Sequence, residues 1–237
     1  MATHTTTGAT SGVRRLSIGR INGEKTGKPV FLEWLRELPA SAEQFLRDFE
    51  TRNSDKGPRY YERFQAVDGL LTGIRTESRE VMGEPRTFLY IRLDDGSDIF
   101  DIEIGDYDGR YSINLMRRLC NPMFNPMLTL RLSPYAVEHE GRTHIGVAAY
   151  NGPDKLEARK SEQGWQMAEP GKTEHKGKTL YDWLPVADFL MDYLQKNVIP
   201  KLVADAWQVA DVPASTTNRD AADWPIQIEP EPADLPF

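Results

Sequence analysis

The chain has 237 residues, 39% apolar and 10% aromatic, which is enough for a real core in one domain with extensions or in two small domains. Its one cysteine, Cys120, permits neither an internal disulfide nor a cysteine zinc cluster, which fits a reducing cytoplasm; with no apolar leader and no run near the roughly 18 apolar residues of a span, neither secretion nor a membrane partner is expected. The net charge of −7 is uneven: from Asp211 onward six acids face Arg219 alone, a share of −5, so the first 210 residues carry only −2 and an anionic ligand is not excluded.

Residues 1–13 are rich in Thr, Gly, Ser and Ala and read as disordered. Phe31, Trp34, Leu35 and Leu38 recur at helical spacing, and after Pro39 a second short helix capped by Ser41 would carry Phe45, Leu46 and Phe49 on one face. Residues 1–58 are therefore expected to be an N-terminal extension with short helices, closed by the turn-like TRNSDKGPR at 51–59.

Residues 59–208 change character. Phe64–Ile74, Arg86–Leu93 and Asp98–Ile104 read as strands, the last two joined by a hairpin at Asp94-Asp95-Gly96. Ser112–Leu119 reads as a short helix stopped by Asn121-Pro122, and Met127–Leu132 and Thr143–Tyr150 as two further strands. Three strands, a helix and two strands is the order of the OB-fold, a five-stranded barrel, and Gly69 and Gly73 suit a first strand that must bend sharply. Another small antiparallel barrel or an α+β sheet remains open. Residues 155–179 are polar and read as an excursion or flexible loop, and Leu180–Ala206 as a helical segment broken at Pro200. Residues 209–237, low in apolar content and with five prolines from Asp211 on, read as a disordered acidic tail. The fold expected is thus mainly β, an OB barrel with flanking helices and that tail.

Alternation along Arg86–Leu93 sends Thr87, Leu89, Ile91 and Leu93 to one face and Arg86, Phe88, Tyr90 and Arg92 to the other. Two rings bracketed by two guanidinium groups are what a single-stranded nucleic-acid groove uses: rings stack on bases and cations track phosphates. Arg75, Arg79, Arg131, Tyr150 and Lys155 are candidates to join them, with Arg117, Arg118, Arg159, Lys160, Tyr107 and Tyr111 behind. Packing of the rings under other elements is the competing explanation. Asp101 and Glu103 fall on the side of the third strand that borders this groove, where they would repel phosphate unless paired with Arg86 or Arg92.

Enzymatic readings are weaker. The Asp94-Asp95-Gly96 cluster is explained by its turn, and the Gly-Lys-Thr triplets at 171–173 and 177–179 lack the glycine of a phosphate-binding loop. The histidines have no partner at metal spacing. No catalytic residue, metal site or cofactor is expected.

A barrel with an aromatic–basic groove, followed by an acidic tail ending in Asp234-Leu235-Pro236-Phe237, resembles the bacterial-type single-stranded DNA-binding proteins, in a divergent form such as phages or mobile elements encode. The resemblance implies sequence-independent protection of single-stranded DNA in the cytoplasm, without catalysis. It also implies a tip, Asp234, Leu235, Pro236 and Phe237, that recruits replication, repair or recombination enzymes by setting a ring and a carboxylate into a basic pocket. The N-terminal helices and the segment near Trp165 depart from the common short version, and either helical segment is a candidate contact for a homo-oligomer. The alternative is an OB-type protein-interaction module that binds no nucleic acid.

Overall fold

The computed structural model describes residues 12–20, 28–37, 49–54, 57–139, 141–162, 165–175 and 178–205. Ten strands form one sheet: β1 (Val13–Arg20), β2 (Pro29–Leu35), β3 (Phe49–Ser54), β4 (Gly57–Phe64), β5 (Val67–Val81), β6 (Glu84–Asp94), β7 (Ile99–Asp106), β8 (Leu130–His139), β9 (Arg142–Asn151) and β10 (Asp154–Leu156). Their spatial order is β10-β9-β8-β5-β6-β7-β1-β2-β4-β3. Helix α1 (Arg110–Leu119) separates β7 from β8; a hairpin of β11 (Gly171–His175) and β12 (Lys178–Asp182) and helices α2 (Leu184–Asn197) and α3 (Ile199–Asp205) come last. The protein is mainly β, but among the described residues no closed barrel is found. Among the described residues β7 pairs with β6 and, in parallel, with β1, while β9 pairs with β8 and β10.

Local chemistry explains the long β5. Val67, Gly69 and Leu71 are buried, then a register shift between Leu71 and Gly73 moves the buried position to Ile74. That bulge resets the alternation and bends the strand. Gly69 is required by close approach, since a Cβ there would lie 2.9 Å from the Asp94 carbonyl oxygen. Beyond Ile74 the β5–β6 hairpin continues into solvent, with Arg75–Glu80 all exposed. It turns at Met82 (φ 54°) and Gly83 (φ 83°), the positive-φ pair that two-residue hairpin turns favour.

The core is built from Leu89, Ile91 and Leu93 of β6, Ile102 and Ile104 of β7, Leu130 and Leu132 of β8, and Val147 and Ala149 of β9. Leu115, Met116 and Leu119 of α1 and Leu190 and Leu194 of α2 close it from one side.

Several expectations change. The helix expected over Phe31–Leu38 is strand β2, buried on both faces from Pro29 to Leu32, so its apolar residues run together and imitate a helical stripe. The second helix from Ser41 lies outside the described residues except Phe49, which begins β3. The boundary at 58/59 falls inside β4: residues 13–54 supply three strands to the same sheet rather than a separate helical extension. Leu128, expected within the strand Met127–Leu132, is exposed and precedes β8, which starts at Leu130. The segment 155–179 is not a plain loop. It forms β10 and β11, and Trp165 is seated on α2 with ring centroids 5.4 Å from Phe189 and 6.0 Å from Tyr193. Leu180 belongs to β12, and the expected break near Pro200 is the junction between α2 and α3. Residues 209–237 lie outside the described residues.

Candidate nucleic-acid interface

The alternation of β6 sets its two faces as its sequence implies, but both are buried: Leu89 and Ile91 toward the core, Phe88 (7% exposed) and Tyr90 (8%) away from it. The second pair is covered by β5. Arg75, in register with Tyr90, holds its guanidinium 4.2 Å from that ring centroid, and Arg79 lies 4.1 Å from the Phe88 centroid. Each guanidinium is then held by a carboxylate of β7. Arg75 donates to Asp101 at 2.6 Å, and Arg79 to Glu103 at 2.8 Å. The Tyr90 hydroxyl also donates to Glu103 at 2.8 Å. The result is three layers: rings, guanidinium planes on the rings, carboxylates holding the planes.

Arg92 approaches Asp101 at 3.7 Å, and Arg86 lies 3.8 Å from Asp106 and 3.9 Å from Glu84. The outer surface is therefore made by Arg75, Arg79, Arg86 and Arg92, whose side chains are 41–46% exposed, and not by the rings. Glu77, Glu84, Asp101, Glu103 and Asp106 balance them, so the acids that border the groove in the sequence do enter it. Burial, then the bond to Glu103, pushes the Tyr90 phenol up to about 12. For Arg75 and Arg79, burial works against the charged form, but the hydrogen bonds to carboxylates prevail and raise both.

Arg131, Tyr150 and Lys155 form a cross-strand row on β8, β9 and β10, with Asp68 of β5 at its end. Asp68 is seven residues from Arg75, about 23 Å along an extended strand. The row is thus a separate patch, and in it Arg131 pairs with Asp68 at 3.8 Å and Lys155 with Glu157 at 3.3 Å.

Other candidates are structural. Arg117 (4% exposed) donates to the Arg159 carbonyl at 3.0 Å. Arg118 (2%) donates to Asn114 Oδ1 at 3.2 Å and to the Leu156 carbonyl. Arg159 lies over the Trp165 ring at 4.1 Å. Tyr107 is buried and donates to Asp188 at 3.2 Å. Asp94 and Asp95 accept backbone N–H groups of their own turn at 2.7–2.8 Å. The tip Asp234–Phe237 lies outside the described residues.

Residues of the expected N-terminal extension, 1–58, turn out to matter. Arg14 is inserted beside Phe64 and Phe100 and bonds Glu33 and Glu62, each at 2.5 Å. Trp34 stands 61% exposed on β2, paired with Tyr61 of β4. Val30, Phe31 and Leu32 are all buried, so β2 carried no period-two signal that could have marked Trp34. No protein-family model, curated protein or solved structure matches the chain.

Proposed function

We propose that the protein binds single-stranded DNA without catalysis and largely without regard to sequence, using the outward face of β5, β6 and β7. The observation that carries this is a layer of four half-exposed arginines, two of which, Arg75 and Arg79, are seated on Tyr90 and Phe88. A guanidinium plane is itself a stacking surface for a base and a fork for phosphate. The bases would lie on Arg75 and Arg79, and phosphates would compete with Asp101 and Glu103 for the same donors. The order β9-β8-β5-β6-β7, with α1 between β7 and β8, supports an OB-type unit. In such units this face and the loops joining the first to the second and the fourth to the fifth strands hold oligonucleotides. Here those loops are the tips of the β5–β6 and β8–β9 hairpins. The acidic segment with Asp234–Phe237 is assigned the recruitment of replication or recombination enzymes in the cytoplasm.

The balance of acids against arginines favours a second reading, a protein-interaction module. Titration of the full chain with dT oligonucleotides at two salt concentrations, with duplex of equal length as control, separates the two. Single-strand affinity at micromolar or tighter, weak for duplex and lost in high salt, supports the proposal. No binding at low salt, with residues 209–237 removed to exclude competition by acid, refutes it.

A further inference from the structure

The outward face does not stop at β7. Tyr90 pairs with Glu103, Glu103 with Ser17 of β1, and Ser17 with Leu32 of β2. One row along, Arg92 pairs with Asp101 and Asp101 with Arg15. The pairing of Leu16 with Glu33 then sets Arg15 beside Trp34, and Trp34 pairs with Tyr61. Arg36 directly follows β2, and Arg59 is two residues from Tyr61 on the same side of β4.

Trp34 is the most exposed ring on this face, and Arg15, Arg36 and Arg59 are all exposed around it. Among the described residues none of the three makes an ion pair, whereas Arg75, Arg79, Arg86 and Arg92 are each held by a carboxylate. Glu37 is the one exposed acid described in the 28–37 segment. A cation already neutralised must surrender a partner before it can take a phosphate, and an unpaired one need not. A buried ring cannot stack on a base, and an exposed indole can.

We infer that Trp34 is the base-stacking platform of this protein, with Arg15, Arg36 and Arg59 as its phosphate contacts. The inference rests on the proposed single-strand binding and relocates its strongest subsite to strands outside the β5–β9 unit. The occupant fits by charge: a polyanion with flat apolar bases matches an exposed indole whose neighbours in register include guanidinium groups unpaired among the described residues. From β6 to β2 is three strand spacings, about 14 Å. A strand crossing the arginine layer of β5–β6 therefore reaches Trp34 within a few nucleotides.

The test uses the full chain, dT oligonucleotides and an abasic strand of equal length. Wild type is expected to prefer dT to the abasic strand, and Trp34→Ala to lose between about 5- and 150-fold in dT affinity with little loss on the abasic strand. Trp34→Phe should recover most of it, and an unchanged melting temperature marks an intact fold. If Trp34→Ala unfolds, Arg15→Ala with Arg59→Ala carries the test, lowering the slope of log affinity against log salt by about 1.4. Unchanged dT binding by Trp34→Ala, with loss on Arg75→Ala and Arg79→Ala, overturns this inference and leaves the proposed function standing. A Trp34→Ala protein that binds dT normally but sediments as a smaller species overturns it too, making the patch a contact between copies. Absence of dT binding by wild type refutes both.

Discussion

Replacing Glu103 with Gln probes the cost of the carboxylates inside the arginine layer. Glu103 Oε1 accepts from Arg79 and Oε2 from the Tyr90 hydroxyl, both at 2.8 Å, and its side chain is 20% exposed. Gln keeps one acceptor and the shape but removes the charge. Arg79 is 44% exposed and regains water, so the stability loss should be small, about 1 kcal/mol. The binding effect has the opposite sign. A phosphate on Arg79 would sit about 6 Å from the Glu103 carboxylate, and two unit charges at that separation repel by about 0.7 kcal/mol in water and about 3 kcal/mol at the effective dielectric of a protein surface. With Arg79 half in solvent the lower part of that range applies, so Glu103→Gln should bind dT oligonucleotides roughly 5-fold tighter while unfolding slightly more easily. Fluorescence anisotropy with labelled dT at fixed salt and urea unfolding of the same preparation measure the two effects. Unchanged or weaker binding by a folded Glu103→Gln protein would mean that the strand does not reach this face.

Two further outcomes concern the scaffold. A Cβ at Gly146 would lie 2.6 Å from both Asn114 Oδ1 and the Tyr135 hydroxyl, and Asn114 Oδ1 already accepts from the Val147 N–H at 3.0 Å and from Arg118 at 3.2 Å. Gly146→Ala should therefore lose about 1–3 kcal/mol in urea unfolding, and a loss below the error of the measurement would contradict that packing. Tyr90 holds its proton up to about 12 in the fold against an ordinary 10, so the unfolded chain ionises first. Its contribution is fully present below pH 10 and is lost as pH rises from there through about 12. The urea midpoint should fall over that window, and fall less for Tyr90→Phe; equal slopes would remove Tyr90 as the cause.

The β-rich middle of the chain was legible because its strands alternate cleanly and its turns carry their own chemistry. Leu89, Ile91 and Leu93 point inward as their spacing requires, and Asp94-Asp95-Gly96 makes its hairpin. The candidate face was legible as a set of residues but not as a surface. Alternation places Phe88 and Tyr90 on the outward side, yet it is silent about Arg75 and Arg79, which lie a strand away and fold over the rings. That is a property of cross-strand neighbours, fixed only by the β5–β6 register. The N-terminal strands failed for a different reason. A strand buried on both faces loses its period of two, and Pro29–Leu32 then reads like the apolar side of a helix. With β2 read as a helix, Trp34 groups with Phe31 and Leu35 on one helical face, although it is exposed on the outward face while Phe31 is buried. The polar hairpin β11–β12 offered no apolar period at all, since it packs almost nothing.

The pairing state of the arginines also governs how binding should respond to salt. Each phosphate neutralised on a single strand releases about 0.7 of a condensed cation. An arginine taken from Asp101 or Glu103 neutralises a phosphate but leaves a bare carboxylate, which recruits a cation from solution and cancels most of that release. Arg15, Arg36 and Arg59 leave no such debt among the described residues. If the strand rests chiefly on these three, log affinity should fall with log salt at a slope near 2; if all seven arginines acted as free cations it would approach 5. A shallow slope with firm affinity thus belongs to a site where stacking on Trp34 carries much of the binding, and a steep one to a site where the carboxylates move out of the way. Because Glu103→Gln converts one paired arginine into a free one, it should steepen the slope by about 0.7 where Arg79 meets phosphate, and leave it unchanged where only the Trp34 patch is engaged.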